Sequence, residues 1–269
     1  MEPDQTNLAS LFSGISAQLR GALSNLHLAA AQLIPAEARE KDSALDARAA
    51  LLDQSYYRLL RLVNSLSAAA SLSGGRPLTL QDWDIAELVS EQCERAASLA
   101  ALCGLELRFL CPMEHHICAV DSEKLEQLLY HLLSNAFKFT SSGGTVTVEL
   151  RRAQENILLS VADTGCGISE DRLSTLFDGC AHDEPMDAAP HGLGLGLYLC
   201  LQIAKGHDGR LMAESHLGKG SRFTFSFPDR QIGTSVSDIR MDYSGGFNRT
   251  LLFLADAMPA NAFLLRNES

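Results

Sequence analysis

Cysteine pairs are what this chain most plainly lacks. Its seven cysteines fall at 93, 103, 111, 118, 166, 180 and 200, with no C-x-x-C pair and no His/Cys cluster at zinc spacing. That pattern argues against a disulfide framework or a structural zinc and predicts a reduced, cytoplasmic setting. No charged-then-apolar stretch opens the chain, and no apolar run approaches the ~20 residues of a membrane helix, so no membrane segment is expected. Basic charge is also scarce: 22 Lys and Arg face 33 Asp and Glu, a net charge of -11. A protein that grips nucleic acid needs a positive footprint, so that class is set aside, and any anionic ligand must be held locally by backbone, a helix end or a metal. What is present is ordinary globular usage, 46% hydrophobic and 20% charged over 269 residues, enough for two domains of usual size.

Residues 1–73 read as two helices. Leu45, Ala49, Leu52, Tyr56, Leu59, Val63, Leu66 and Ala70 follow at alternating steps of four and three, the seam of a coiled coil or four-helix bundle. Leu19, Ala22, Leu26, Ala29 and Leu33 repeat the rhythm upstream, and Pro35 closes that helix before a polar stretch to about Ser43. Two helices cannot close such a core alone, so the hairpin predicts a homodimer with a four-helix bundle.

Ser73-Gly74-Gly75-Arg76-Pro77 marks a boundary. Beyond it, helices are expected at 84–102 and 121–138. Strands are expected at Leu105–Leu110, Ile117–Val120, Val146–Leu150 and Ile157–Val161, and then helix, glycine-rich loop, helix and two strands run to Pro228. Strands grouped beside helices predict an α+β layer over 77–228 rather than a doubly wound sheet. In 229–269, Val236–Tyr243, a turn at 244–246 and Thr250–Leu254 predict a β-hairpin, followed by a short apolar end, Ala260–Leu265.

Four segments carry candidate chemistry. On the helix His131–Thr140, Asn135 and Lys138 share a face; an amide oxygen suits Mg2+ and an ammonium suits phosphate, although an ordinary polar helix end has the same look. Asp163-Thr164-Gly165-Cys166-Gly167-Ile168 ends a strand. Its carboxylate can accept from the exocyclic amine of a purine while the glycines admit a flat ring, and a plain Asx turn is the alternative. Gly192-Leu193-Gly194-Leu195-Gly196-Leu197 runs into an apolar helix, Tyr198–Ala204, exposing backbone N–H groups to phosphate; the spacing fits neither a dinucleotide fingerprint nor a P-loop. Gly218-Lys219-Gly220-Ser221-Arg222-Phe223 is a turn between strands.

In this order the four segments resemble the N, G1, G2 and terminal glycine boxes of the histidine-kinase ATPase domain, the Bergerat-type fold shared with gyrase, Hsp90 and MutL. The resemblance spans about Pro77 to Pro228 and implies an α/β sandwich with a mixed sheet and an ATP pocket under a lid. It implies ATP and Mg2+ as cofactors. Asn135 would coordinate the metal and Lys138 would touch phosphate. Asp163, with Gly165 and Gly167, would read adenine, the loop of Gly192, Gly194 and Gly196 would embrace the phosphates, and Ser221 would help at the adenine end. Leu176-Phe177 would be the remains of the family's F box, with Cys180 at its second phenylalanine.

The hairpin resembles the dimerisation and phosphoacceptor domain of the same family, with an important departure. Where that family carries a motif like I-S-H-E-L-R-T-P-L, this chain reads Ile15-Ser16-Ala17-Gln18-Leu19-Arg20-Gly21-Ala22-Leu23. Ala17 replaces the acceptor histidine and Gln18 the acid; a methyl cannot be phosphorylated and an amide is no general base. His27, ten residues on, is followed by Leu28 rather than a carboxylate. His131 stands where the first asparagine of the N box is usual, and the lid segment 178–190 holds Asp183, Glu184 and Asp187 with no Lys or Arg. The leading expectation is a dimeric, ATP- or ADP-binding pseudokinase of two-component signalling, with a response regulator or another signalling protein as partner. An active kinase working on a partner in trans, and a phosphotransfer or scaffold module with a decayed pocket, are the alternatives.

Overall fold

The computed structural model describes residues 3–73, 77–177, 195–233 and 248–265. The chain divides into two compact units: 1–76 together with 244–269, and 77–243.

In the first unit, α1 (Pro3–Leu33) and α3 (Ser43–Ser73) form the expected hairpin. The polar stretch between them is itself helical, α2 (Ala36–Lys41). Pro35 stands at its N-cap, and Glu37 in its first turn and Arg39 and Lys41 in its last match the helix dipole. The Asp42 carboxylate accepts from the backbone N–H groups of Ala44 and Leu45 at 2.9 and 3.1 Å, starting α3. Along α3 the apolar seam divides. Ala49, Tyr56 and Val63 are buried, while Leu52 and Leu59, with Leu26 and Leu33 of α1, stay exposed.

The expected strand at Thr250–Leu254 is a helix, α8 (Arg249–Leu254), followed by a 3-10 turn, Ala260–Phe263. The short apolar run fits either period, and the residues that bury, Leu251, Leu254, Ala255 and Met258, lie at helical spacing. Asn248 caps the helix, its side-chain oxygen accepting from the Leu251 N–H at 2.9 Å. The rest of the expected hairpin, Val236–Tyr243 with the turn at 244–246, lies outside the described residues. Gln54 Nε2 donates to the Met258 carbonyl at 2.8 Å, and Arg61 pairs with Asp256, fastening the segment to α3.

The second unit is α+β. Strands β1 (Gln81–Asp84) and β3 (Ile117–Val120) pair antiparallel. A mixed sheet of β2 (Glu106–Leu110), β4 (Thr145–Ala153), β5 (Asn156–Asp163), β6 (Arg210–His216) and β7 (Gly220–Pro228) has the order β2-β4-β5-β7-β6, with only β2 and β4 parallel. Period-two alternation builds its inner face: Val148 lies opposite Val161, which lies opposite Phe223, and Leu150, Leu159 and Phe225 form the next row, all buried. Helices α4 (Ile85–Leu102), α5 (Ser122–Phe139) and α7 (Leu195–Gly206) pack against the sheet. Asp84 and Asp121 cap the first two of these helices.

Candidate nucleotide cleft

The end of β5, the C-terminal turn of α5 and the β6–β7 turn meet around a cleft of about 590 Å³. Backbone hydrogen bonds fix the meeting: the Cys166 N–H donates to the Phe139 carbonyl at 3.1 Å and the Gly218 N–H to the Cys166 carbonyl at 2.7 Å. Gly167 has φ +68°, and a Cβ there would lie 2.1 Å from the His216 carbonyl oxygen; at Gly220, φ +94°, it would lie 1.9 Å from that of Asp163. No side chain fits either place, so both glycines are demanded by contact as well as by conformation.

Asp163 is half-buried in the cleft wall. Its Oδ1 accepts from the backbone N–H groups of Gly165 at 2.8 Å and Ser221 at 3.3 Å. Oδ2 accepts from no group among the described residues and remains available to a ligand donor. Burial pushes the carboxyl above the usual range, and the two backbone bonds oppose that shift. Ser221 Oγ lies 2.9 Å from Ser215 Oγ, which accepts from the Ile168 N–H at 2.8 Å and lies 2.9 Å from the Gly220 carbonyl. With Ser215 donating to that carbonyl, Ser221 is the donor of the pair. This serine pair ties the Asp163 loop to the β6–β7 turn. Ser215 has no motif of its own, and only strand pairing reveals it.

Of the other expected residues, Asn135 lines the cleft, and its amide has no hydrogen-bond partner among the described residues. Lys138, one turn further along α5, is half-buried and not in the cleft wall. Gly196 lies in the first turn of α7 against the buried His131, where an added Cβ would be 3.2 Å from Nδ1. Gly192, Gly194 and the acidic segment 178–190 lie outside the described residues. The remaining wall is largely apolar, with Phe139, Ile168, Leu176, Leu197 and Phe223 suited to a flat ring. Arg172, exposed on α6 (Glu170–Ser174), brings a cation to the cleft that the reading of 178–190 alone had missed. Its signal was available in the sequence, four residues after Ile168.

For a divalent metal, the free Asn135 amide oxygen is a suitable hard ligand. Among the described residues no three His, Cys, Asp or Glu side chains cluster to hold one, so phosphate oxygens would supply much of the coordination. Among the described residues no helix is long and apolar enough to cross a membrane.

Residues 120–231 match the family described as histidine kinase-, DNA gyrase B-, and HSP90-like ATPase. Over 109 residues the chain is 40% identical to the adaptive-response sensory kinase SasA of Synechococcus elongatus, which takes in 40% of this chain and 28% of that protein. Over 219 residues it is 29% identical to the sensor protein EvgS of Escherichia coli, covering 78% of this chain and 18% of that one. The chain thus spans less than a third of these two relatives. Among solved structures, full-length ShkA in complex with AMPPNP aligns with a TM-score of 0.66 at 26% identity, over 86% of this chain and 47% of that one.

Proposed function

We propose that this chain, whose residues 120–231 match the histidine kinase-, DNA gyrase B-, and HSP90-like ATPase family, is a nucleotide-binding protein of two-component signalling that does not phosphorylate its own hairpin at the usual position. The observation that carries the nucleotide reading is Asp163, its Oδ1 held by two backbone amides and its Oδ2 open to the cleft. A carboxylate so fixed accepts one hydrogen bond from the exocyclic amine of adenine, with Phe223 and Ile168 among the apolar walls for the ring. Asn135 would hold Mg2+ bound to the phosphates, and Arg172 would offset their charge. The likeness to ShkA, solved with AMPPNP, supports an adenine nucleotide over other anions.

What bound nucleotide does follows from the hairpin. Ala17 and Gln18 are exposed on α1, and by the resemblance of Ile15–Leu23 to the family's motif they would stand in place of its histidine and acid. Neither can accept or relay a phosphoryl group. The chain therefore signals through its nucleotide-dependent conformation or through a partner, a response regulator being the class its family implies.

Calorimetric titration of the purified chain with ATP and ADP, with and without Mg2+, tests the first part. Saturable binding is expected, weakened by at least about tenfold in Asp163→Asn, the cost of replacing an acceptor by a donor in a buried site. No binding by the unaltered chain would overturn the reading. Incubation with Mg-ATP followed by mass spectrometry tests the second, and phosphate on a histidine of the purified chain would sink the pseudokinase assignment.

A further inference from the structure

The serine pair behind the cleft fixes more than the join between two loops. Ser215 lies on β6 with Ser221 opposite it on β7; Ser221 lines the cleft and Ser215 does not. Every hydrogen-bonding capacity of the Ser215 hydroxyl is used. Its proton goes to the Gly220 carbonyl at 2.9 Å, and its two lone pairs accept from the Ile168 N–H at 2.8 Å and from Ser221 Oγ at 2.9 Å.

The consequence falls on Ser221. A hydroxyl carries one proton, and this one is spent on a residue outside the cleft wall. What Ser221 offers a ligand is therefore its oxygen as an acceptor, and that oxygen accepts from no group among the described residues. The Ser221 N–H donates to Asp163 Oδ1 at 3.3 Å, which sets the two side chains beside each other in the wall while Asp163 Oδ2 stays open. The wall thus presents two neighbouring acceptors. An exocyclic amine is the group that brings two donor hydrogens on one nitrogen.

We propose that Ser215 is a positioning residue for base recognition: by taking the Ser221 proton it lets the cleft bind both hydrogens of the adenine amine, one on Asp163 Oδ2 and the other on Ser221 Oγ. The inference rests on the adenine-nucleotide reading of the cleft and deepens it, since Asp163 alone accounts for one of the two hydrogens. A hydroxyl released from Ser215 would turn and share its proton with the ligand, and the demand for a second hydrogen would lapse. Ser215 touches no part of the nucleotide and acts only through Ser221 and the Ile168 N–H.

Calorimetry on the full chain with ATP and N6-methyl-ATP, which keeps one of the two hydrogens, tests this. The unaltered chain binds ATP about tenfold more tightly than the methylated nucleotide, the scale of one hydrogen bond lost in a half-buried site. Ser215→Ala frees the Ser221 hydroxyl and Ser221→Ala removes it, and in both the preference narrows to about threefold or less. A merely structural role would weaken both nucleotides by the same factor and leave the preference where it was. Ser215→Thr keeps the hydroxyl on a strand that favours β-branched residues, and the preference returns. If ATP does not bind the unaltered chain, the nucleotide reading falls and this proposal with it. If ATP binds but the preference is absent, or is the same in the unaltered chain and in folded Ser215→Ala, the proposal is overturned while the nucleotide reading stands. Should Ser215→Ala not fold, an unchanged preference in Ser221→Ala overturns it instead.

Discussion

Asp163 illustrates how one side chain trades stability for a binding function. Its folded pKa is raised by burial, so its contribution to stability is complete below the ordinary carboxyl range and is lost as pH rises through the raised value. At neutral pH the ionised group is a net cost, and Asp163→Asn, which keeps an oxygen for the Gly165 and Ser221 amides, should melt no lower than the unaltered chain while losing nucleotide. Thermal melting beside calorimetry checks this, and a lower melting temperature would show that the carboxylate is structural. His207 behaves oppositely. It is buried, with Nδ1 donating to the Ile203 carbonyl at 2.8 Å and Nε2 accepting from the Asp121 N–H at 3.1 Å, an arrangement only the neutral ring can make. Burial lowers its pKa, so its contribution is present above the ordinary value of 6.5 and falls away as pH drops below it. Urea titrations across that range should show an acid slope that His207→Gln lacks.

At the scale of elements, motif residues were legible wherever a backbone feature demanded a particular side chain. The glycines at 167 and 220 stand where carbonyls approach within 2.1 and 1.9 Å of a would-be Cβ, and that demand leaves a mark in the sequence. Ser215 and Arg172 left fainter marks, because serine on a strand and arginine on a short helix are ordinary until the fold carries them to a cleft. The C-terminal segment was misread because Leu251-Leu252-Phe253-Leu254 is apolar at every step, and short apolar runs fit either period. Its helix is selected by the Asn248 cap and by what it packs against. Phe263, fully buried and edge-on to Tyr57 at 5.3 Å between centroids, anchors it. Phe263→Ala should destabilise the helical unit by about 3 kcal/mol, measured by denaturant unfolding, with nucleotide affinity unchanged.

For the molecule as a whole, the exposed leucines of the hairpin are the outstanding unpaid apolar surface. Leu26, Leu33 and Leu59 are 67%, 83% and 50% exposed although they lie on the repeating seams of α1 and α3. A second hairpin would cover them. Sedimentation equilibrium should find a dimer, and Leu26→Glu combined with Leu59→Glu a monomer that still binds nucleotide. A monomeric unaltered chain would remove the four-helix-bundle expectation.

The sequence by itself determined the order of elements in the sheet-bearing unit, the glycines around Asp163 and the amide of Asn135, and that position 17 carries a methyl group that no phosphoryl transfer can use, because each is set by local geometry or by the chemistry of one side chain. Tertiary structure alone decided that α8 is a helix, that Arg172 and Ser215 belong with the cleft while Lys138 stands outside its wall, and that Asp53 shares Arg39 with Asp46. Those facts join residues far apart in the chain, and which distant surfaces meet depends on the burial of whole faces rather than on any local pattern.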